Sequence, residues 1–279
     1  MRNINMSYYN VYYYCNIIDN LLRLFTTEIE WASTGAEFLD WFYEGDIENF
    51  PKYSALHSFC DYAIRKLISE EDERELEIIQ EKYDSDYAQT LDSKARIKYA
   101  FSSEYPLNKR LWIDRLLSNY KHTQESFYSF VKDYGFKFVD DAYSDYCFFN
   151  GEYDDAVFKL SRELFYVLFQ NREFLYRFNS YLSIREHLPI QRSNIPAWVK
   201  RAVKFRDHGK CVCCGKDLSG ILDCEDENSV HYDHIVSLHE GGLNDVSNSQ
   251  LMCRKCNLSK SSDSYSSSNY KDWYDFSEQ

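Results

Sequence analysis

The sequence predicts an α+β protein. A mostly helical stretch over residues 1–187 is followed by a small strand–loop–strand–helix unit over 188–262 and a Ser/aromatic tail over 263–279. Three observations carry this. Apolar residues before position 188 recur at helical spacing. Pro189 and Pro196 flank a polar stretch, Ile190 to Ile195, that interrupts the pattern. Two Cys-x-x-Cys pairs, Cys211/Cys214 and Cys253/Cys256, bracket a short alternating segment at Val230 to Val236.

The elements follow in order. Cys15 to Trp31 carries Ile18, Leu21, Leu22, Phe25 and Ile29 on one helical face. Thr34-Gly35-Ala36-Glu37 reads as a capping box ahead of Phe38, Leu39, Trp41 and Phe42, with Gly45 as the stop. Segments near 52–69, 70–84, 109–120 and 123–134 repeat the pattern. Asp154 to Phe174 is the longest expected helix, with a stripe of Val157, Leu160, Leu164, Val167 and Leu168. Its start is favoured by Asp154 and Asp155 at the positive end of the helix dipole. Pro196 suits the first turn of a helix running to about Asp207, which Gly209 would end. An acidic insertion, Leu218 to Asn228, precedes the strand at Val230 to Val236. Gly241-Gly242 and Asn244-Asp245 mark a turn-rich loop. A second strand covers Gln250 to Met252, and a helix covers Arg254 to Lys260.

A chain of 279 residues, 44% hydrophobic, can bury a sizeable core and split into two domains. Its net charge of -13 argues against nucleic-acid binding by the whole surface. The charge is uneven, however. Arg192, Lys200, Arg201, Lys204, Arg206, Lys210 and Lys216 cluster around one acid, Asp207, and a local basic face suits contact with a phosphate backbone. The 25 Tyr and 19 Phe fit core positions better than base stacking, because Tyr8, Tyr9, Tyr12, Tyr13 and Tyr14 have almost no basic residues among them. No run resembles a signal peptide or a membrane span, so a cytoplasmic, reducing location with no membrane partner is expected.

Six of the nine Cys lie between Cys211 and Cys256, which points to metal ligation rather than a disulfide framework. Four thiolates in two knuckles suit a closed tetrahedral Zn2+ site, which is structural. Cys213 rivals Cys214, but the two-residue spacing and Gly215 favour Cys214. Asp233, His234 and Asn257 are a base and hard or borderline donors, suited to a hydrolytic Mg2+ or Mn2+. Asp233 and His234 are adjacent on a strand and therefore point to opposite faces. His231 shares the Asp233 face, as a second metal ligand or a surface His. His239 reads as a loop residue, and His57, His122 and His187 as structural. Cys224 reads as a free thiol.

Residues Ile195 to Ser262 resemble the HNH endonuclease family, whose fold is the ββα-metal unit. The resemblance implies that His234 is the general base, and that Asp233 and Asn257 hold the catalytic divalent ion. It implies that Asn248 braces the inter-strand loop in the catalytic centre, and that Cys211, Cys214, Cys253 and Cys256 hold structural zinc. Lys260 matches a frequent basic residue, and Arg206-Asp207 the family's lead-in. With Lys200, Arg201, Lys204 and Lys210, Arg206 and Lys260 complete the expected nucleic-acid-binding set. The insertion between Cys214 and His231 is longer and more acidic than in compact members.

The function expected is metal-dependent cleavage of DNA. A zinc-stabilised binding module without catalysis, or an RNA-directed nuclease, stands as the alternative. HNH domains joined to unfamiliar helical regions resemble effectors of bacterial phage-defence or restriction systems, some with an ATPase partner. On that analogy the expected partners are DNA, a protein such as an ATPase, and further copies of the chain in a homo-oligomer. The helical region would act as a sensor, a partner-docking module or an autoinhibitory cap.

Overall fold

The structure is a computed structural model that describes residues 4–24, 37–42, 48–102, 111–120, 126–149, 151–184, 192–220 and 230–260. Its helices are α1 (Val11–Leu24), α2 (Ala55–Asp84), α3 (Asp86–Gln89), α4 (Ser93–Ala100), α5 (Trp112–Asn119), α6 (Phe127–Tyr134), α7 (Val139–Phe149), α8 (Gly151–Gln170), α9 (Arg172–Leu182) and α10 (Ala197–Arg206). Residues 37–42 are also helical. Strand β1 (Val230–His234), strand β2 (Ser249–Cys253) and helix α11 (Arg254–Lys260) follow. The chain is therefore α+β as expected: helices first, then one antiparallel pair and a helix. Among the described residues no helix is long and apolar enough to cross a membrane.

Two expected segments, 52–69 and 70–84, form the single helix α2. The polar run Ser69 to Arg74 holds no Gly or Pro to stop a helix, and Lys66 pairs with Glu70 one turn on, at 3.9 Å. The expected helix over 154–174 is instead divided. Asn171 leaves the helix, and its side chain accepts from Phe174 N–H at 3.0 Å, capping α9. The expected stripe holds at Val157, Leu160, Leu164 and Leu168, all buried. Phe25, Ile29, Thr34, Gly45, His122, His187, Cys224, most of the acidic insertion and the 263–279 tail lie outside the described residues.

The chain falls into two compact units. The first comprises Met1–Val11 and Cys60–Glu163. Its core is aromatic: Phe127, fully buried, packs edge-on against Tyr143 at 5.6 Å and tilted against Tyr146 at 5.5 Å. Leu111 gives α5 no side-chain cap. Asp72, from the middle of α2, supplies one: its carboxylate accepts from Trp112 N–H at 2.6 Å, Ile113 N–H at 3.2 Å and Tyr143 O–H at 2.8 Å.

The second unit comprises Tyr12–Phe59 and Leu164–Gln279. Phe59 packs against Phe38 at 5.1 Å and against Phe178 at 5.2 Å, with Ile18, Leu22 and Leu164 buried in the same unit. The unit that holds both Cys pairs thus includes α9 and the start of α2.

Burial pushes the Asp72 carboxyl up from 3.8 to about 6, against the three hydrogen bonds that favour its charge. A raised folded-state pKa means that ionised Asp72 costs stability above pH 6, and that the cost is relieved as pH falls toward the unfolded value. At ~1.4 kcal/mol per pKa unit, the relief is at most about 3 kcal/mol. Relative to Asp72→Asn, which does not titrate, the native chain should therefore gain stability between pH 7 and pH 4. Denaturant unfolding of both proteins across that range checks this, and a constant or opposite difference would contradict it.

Candidate metal and catalytic site

The zinc cysteines come from three elements. Cys211 and Cys214 sit in a tight knuckle closed by Gly215 N–H to Cys211 C=O at 2.9 Å and Cys211 N–H to Lys216 C=O at 2.8 Å. Cys253 ends β2 and Cys256 lies in the first turn of α11. The four sulfurs lie within 4.8 Å of one another. A tetrahedral Zn2+ with Zn–S near 2.3 Å sets its sulfurs about 3.8 Å apart. Cys214 Sγ and Cys253 Sγ are 3.8 Å apart, which fits zinc and is far too long for a disulfide. Cys256 N–H points to Cys253 Sγ at 3.4 Å. Burial would raise the Cys211 thiol, but N–H groups of Cys214, Cys253 and Cys213 outweigh it and hold it below its ordinary value. The set is Cys211, Cys214, Cys253 and Cys256, with Cys213 outside it.

The strands hold the candidate chemistry. In the β1/β2 pair Asp233 faces Gln250 and His234 faces Ser249. The pleat sends the two side chains apart, as their adjacency dictates. Asp233 Oδ2 accepts from Lys260 Nζ at 2.7 Å and from Gln250 Nε2 at 3.2 Å. His234 Nε2 lies 3.1 Å from Asn244 Oδ1. Phe50 stacks beside the imidazole, and His234 is 8% exposed. That burial holds the imidazole below its usual pKa, against the Asp233 charge and the Asn244 hydrogen bond, and so favours the neutral ring.

Asn257 is brought to His231, with Nδ2 3.1 Å from Nδ1. His231 lies two residues before Asp233 in β1, on the same face. His231 and Asp233 thus share one face of β1, and Asn257 reaches His231 from α11; carboxylate, amide and imidazole are donor types that suit Mg2+ or Mn2+. Asn248 has another task. Its Oδ1 accepts from Val236 N–H at 2.8 Å, while Nδ2 donates to Val236 C=O at 3.0 Å and Leu243 C=O at 2.9 Å. Its amide braces the loop from β1 to β2. Gly242 sits in that loop because any Cβ would meet Val236 O at 2.1 Å and Asn248 Nδ2 at 2.8 Å. His239 is an exposed loop residue, and His57 bonds Ser54 Oγ at 2.8 Å.

Two expected phosphate contacts are corrected. Arg206 is fully buried. It grips Asp207 through Nε at 2.8 Å and Nη2 at 3.0 Å, and also donates to Ser249 C=O at 2.7 Å. Lys260, 8% exposed, is bound to Asp233 and to His234 C=O. Both cations are engaged internally, Arg206 by the buried Asp207 and Lys260 by the half-buried Asp233 and the His234 carbonyl. Lys200, Arg201 and Lys210 are exposed. Lys204 is half-buried and donates to Ser219 C=O at 3.2 Å.

The sequence reading missed the frame behind these residues. Arg172 donates to Asp207 Oδ1 at 2.9 Å and to Gln250 Oε1 at 2.9 Å, and Asp207 also accepts from Leu251 N–H at 2.9 Å. Burial would raise the Asp207 carboxyl, but Arg206 and Arg172 hold it below the usual range. Asp245, buried, accepts from Ala55 N–H at 2.9 Å and Ser247 N–H at 2.8 Å. Arg206-Asp207 was visible as a sequence pair; Arg172 lies among similar helical arginines and gave no signal.

Because structural zinc contributes folding energy directly, Cys214→Ser should lose about one zinc per chain and unfold residues 211–260 rather than only slow any activity. Metal analysis with circular dichroism tests this: a zinc-free native protein, or a well-folded Cys214→Ser variant, would contradict it.

Comparison with curated proteins and with solved structures gives no match. Comparison with family models matches residues 211–263, from the first zinc cysteine to just past α11, to the HNH endonuclease family. The chain carries an HNH endonuclease domain, of nuclease type, built on a four-cysteine site that fits zinc.

Proposed function

We propose that this chain is a metal-dependent HNH endonuclease that hydrolyses phosphodiester bonds in DNA. The observation that carries the reading is the divergence at the end of β1. A neutral His234 is held by Asn244 on one side, and the Asp233 carboxylate is held by Lys260 and Gln250 on the other. Hydrolysis needs both: a base to take a proton from water and a charged donor to seat a metal.

In this reading His234 accepts the proton of the attacking water. The oxygen adds to phosphorus, the P–O3′ bond breaks, and the 3′ oxygen leaves with the bond's electrons. Asp233 and Asn257, with His231 alongside, would hold one Mg2+ or Mn2+, which when bound neutralises charge on the phosphate and the leaving oxygen. Lys260 fixes the orientation of Asp233. Asn248 acts as a positioning residue through the loop it braces. Exposed Lys200, Arg201 and Lys210 supply phosphate contacts on an otherwise acidic chain. By analogy with HNH domains joined to helical regions, the proposed role is that of an effector of a defence or restriction system with a protein partner such as an ATPase. One observation favours a binding module without catalysis, namely the ion pair that Lys260 already makes with Asp233.

His234→Ala should lower cleavage by about 10²–10⁴-fold with zinc content unchanged. Asp233→Ala and Asn257→Ala should shift activity to higher magnesium or manganese. A binding module would keep its function in all three variants, and His234→Ala cutting at the native rate would refute the mechanism.

Neutralising Lys200 and Arg201 together should reduce the slope of log affinity against log salt by about two, one for each lost phosphate contact. An unchanged slope, measured by fluorescence anisotropy on duplex DNA, would place that face of α10 away from the nucleic acid.

A further inference from the structure

Several interactions outside the proposed base and metal ligands converge on Asn244. Its Oδ1 lies 3.1 Å from His234 Nε2, and its Nδ2 donates to Asn49 Oδ1 at 2.6 Å. Its backbone carbonyl accepts from Phe50 N–H at 2.7 Å. The next residue, Asp245, accepts from Ala55 N–H at 2.9 Å, at the start of α2. The residues involved, 49–55 and 234–245, belong to the second compact unit.

The hydrogen bonds fix a direction. With Nδ2 donating to Asn49, Oδ1 is the atom that faces the imidazole. An acceptor at that position requires the proton on His234 Nε2 and leaves the lone pair on Nδ1. Phe50 closes the other side of the arrangement. Its ring lies 6.5 Å from the imidazole at 26°, and the residue is 5% exposed. Its φ is +54°, a region that bulky residues rarely adopt, and the following Pro51 restricts it further. Such strain persists only where the surroundings enforce it. Here the Phe50 N–H bond to Asn244 and the burial of the ring enforce it.

We infer that the segment Asn49–Ala55 is an integral part of the nuclease site, and that Asn49 and Asn244 are positioning residues that set the tautomer and orientation of His234. The inference rests on His234 being the general base. It makes residues far before the HNH match necessary for chemistry, and it opposes a lid role for the same segment, in which covering His234 would repress cleavage.

The test uses the full chain with Asn49→Ala, Asn49→Asp, Asn244→Ala and His234→Ala, each assayed on plasmid DNA with magnesium. Asn49→Ala and Asn244→Ala should lower kcat about 10–100-fold with KM nearly unchanged, the range seen when a partner that orients a reacting side chain is removed. Asn49→Asp keeps an acceptor for Asn244 Nδ2 and should stay near the native rate. Nitrogen NMR of labelled imidazoles should show His234 protonated at Nε2 in the native chain and mixed tautomers in Asn244→Ala. Native kcat in Asn49→Ala and Asn244→Ala, alongside an inactive His234→Ala, would overturn the inference and leave the nuclease reading intact. Faster cleavage by Asn49→Ala would overturn it in favour of a lid. Native cleavage by His234→Ala would overturn the base assignment and this inference together. If Asn49→Ala loses its fold or its zinc, the native imidazole spectrum decides: a proton on Nδ1 of His234 overturns the inference.

Discussion

Four cysteine sulfurs within 4.8 Å of one another are the constraint on which the nuclease-type domain depends. As thiolates they would repel one another at this distance, and a bound cation such as Zn2+ would offset that repulsion. A zinc ion held there would fix the end of β2, the start of α11 and the knuckle at Cys211–Cys214 together. Asn257 follows Cys256 directly, and Asp233 lies on the strand paired with β2, so a zinc in the cluster would also fix where the proposed metal ligands sit. A domain this small cannot build that precision from its apolar core alone.

A second constraint is electrostatic. Asp207 has no exposed side-chain surface and is held by Arg206 and Arg172. Removing one partner of such a buried set typically costs about 3–5 kcal/mol, because the remaining charge is left uncompensated. The set ties α9 and α10 to β2 through Leu251 N–H and through Gln250, whose other end reaches Asp233. Helical residues from well before the HNH match therefore shape the face that carries Asp233. Asn179 adds to this by donating to Ser247 C=O at 3.1 Å.

Much of this was legible in the sequence wherever local chemistry decides it. The Cys spacing marks the knuckles, the alternation at Val230 to Val236 marks a strand, which ends at His234, and the Gly241-Gly242 pair marks a loop, in which Gly242 leaves no room for a Cβ. What was not legible depends on long-range partners. Arg206 and Lys260 read as free cations in the sequence, and only the fold shows the carboxylates that bury them. Asp72 caps a helix 40 residues away, and Asn171 breaks a helical stripe by capping its own successor. Neither event alters the hydrophobic period. The sequence pattern divides 52–69 from 70–84, but the polar run Ser69 to Arg74 holds no Gly or Pro and the helix runs on.

The divergence of Asp233 and His234 at one strand end links these constraints to chemistry. The four-cysteine cluster, which fits zinc, and the Asp207 cluster brace the strands, the strands separate His234, the proposed base, from Asp233, the proposed metal donor, and Asn244 and Lys260 contact each in turn. Whether that arrangement cuts a phosphodiester is tested most directly by incubating the full chain with supercoiled plasmid DNA in magnesium, in manganese and in a chelator that leaves the thiolate-bound zinc in place. The account predicts nicked or linear products with either divalent ion and none with the chelator. Intact plasmid in every condition, or equal cleavage with the chelator present, would contradict it.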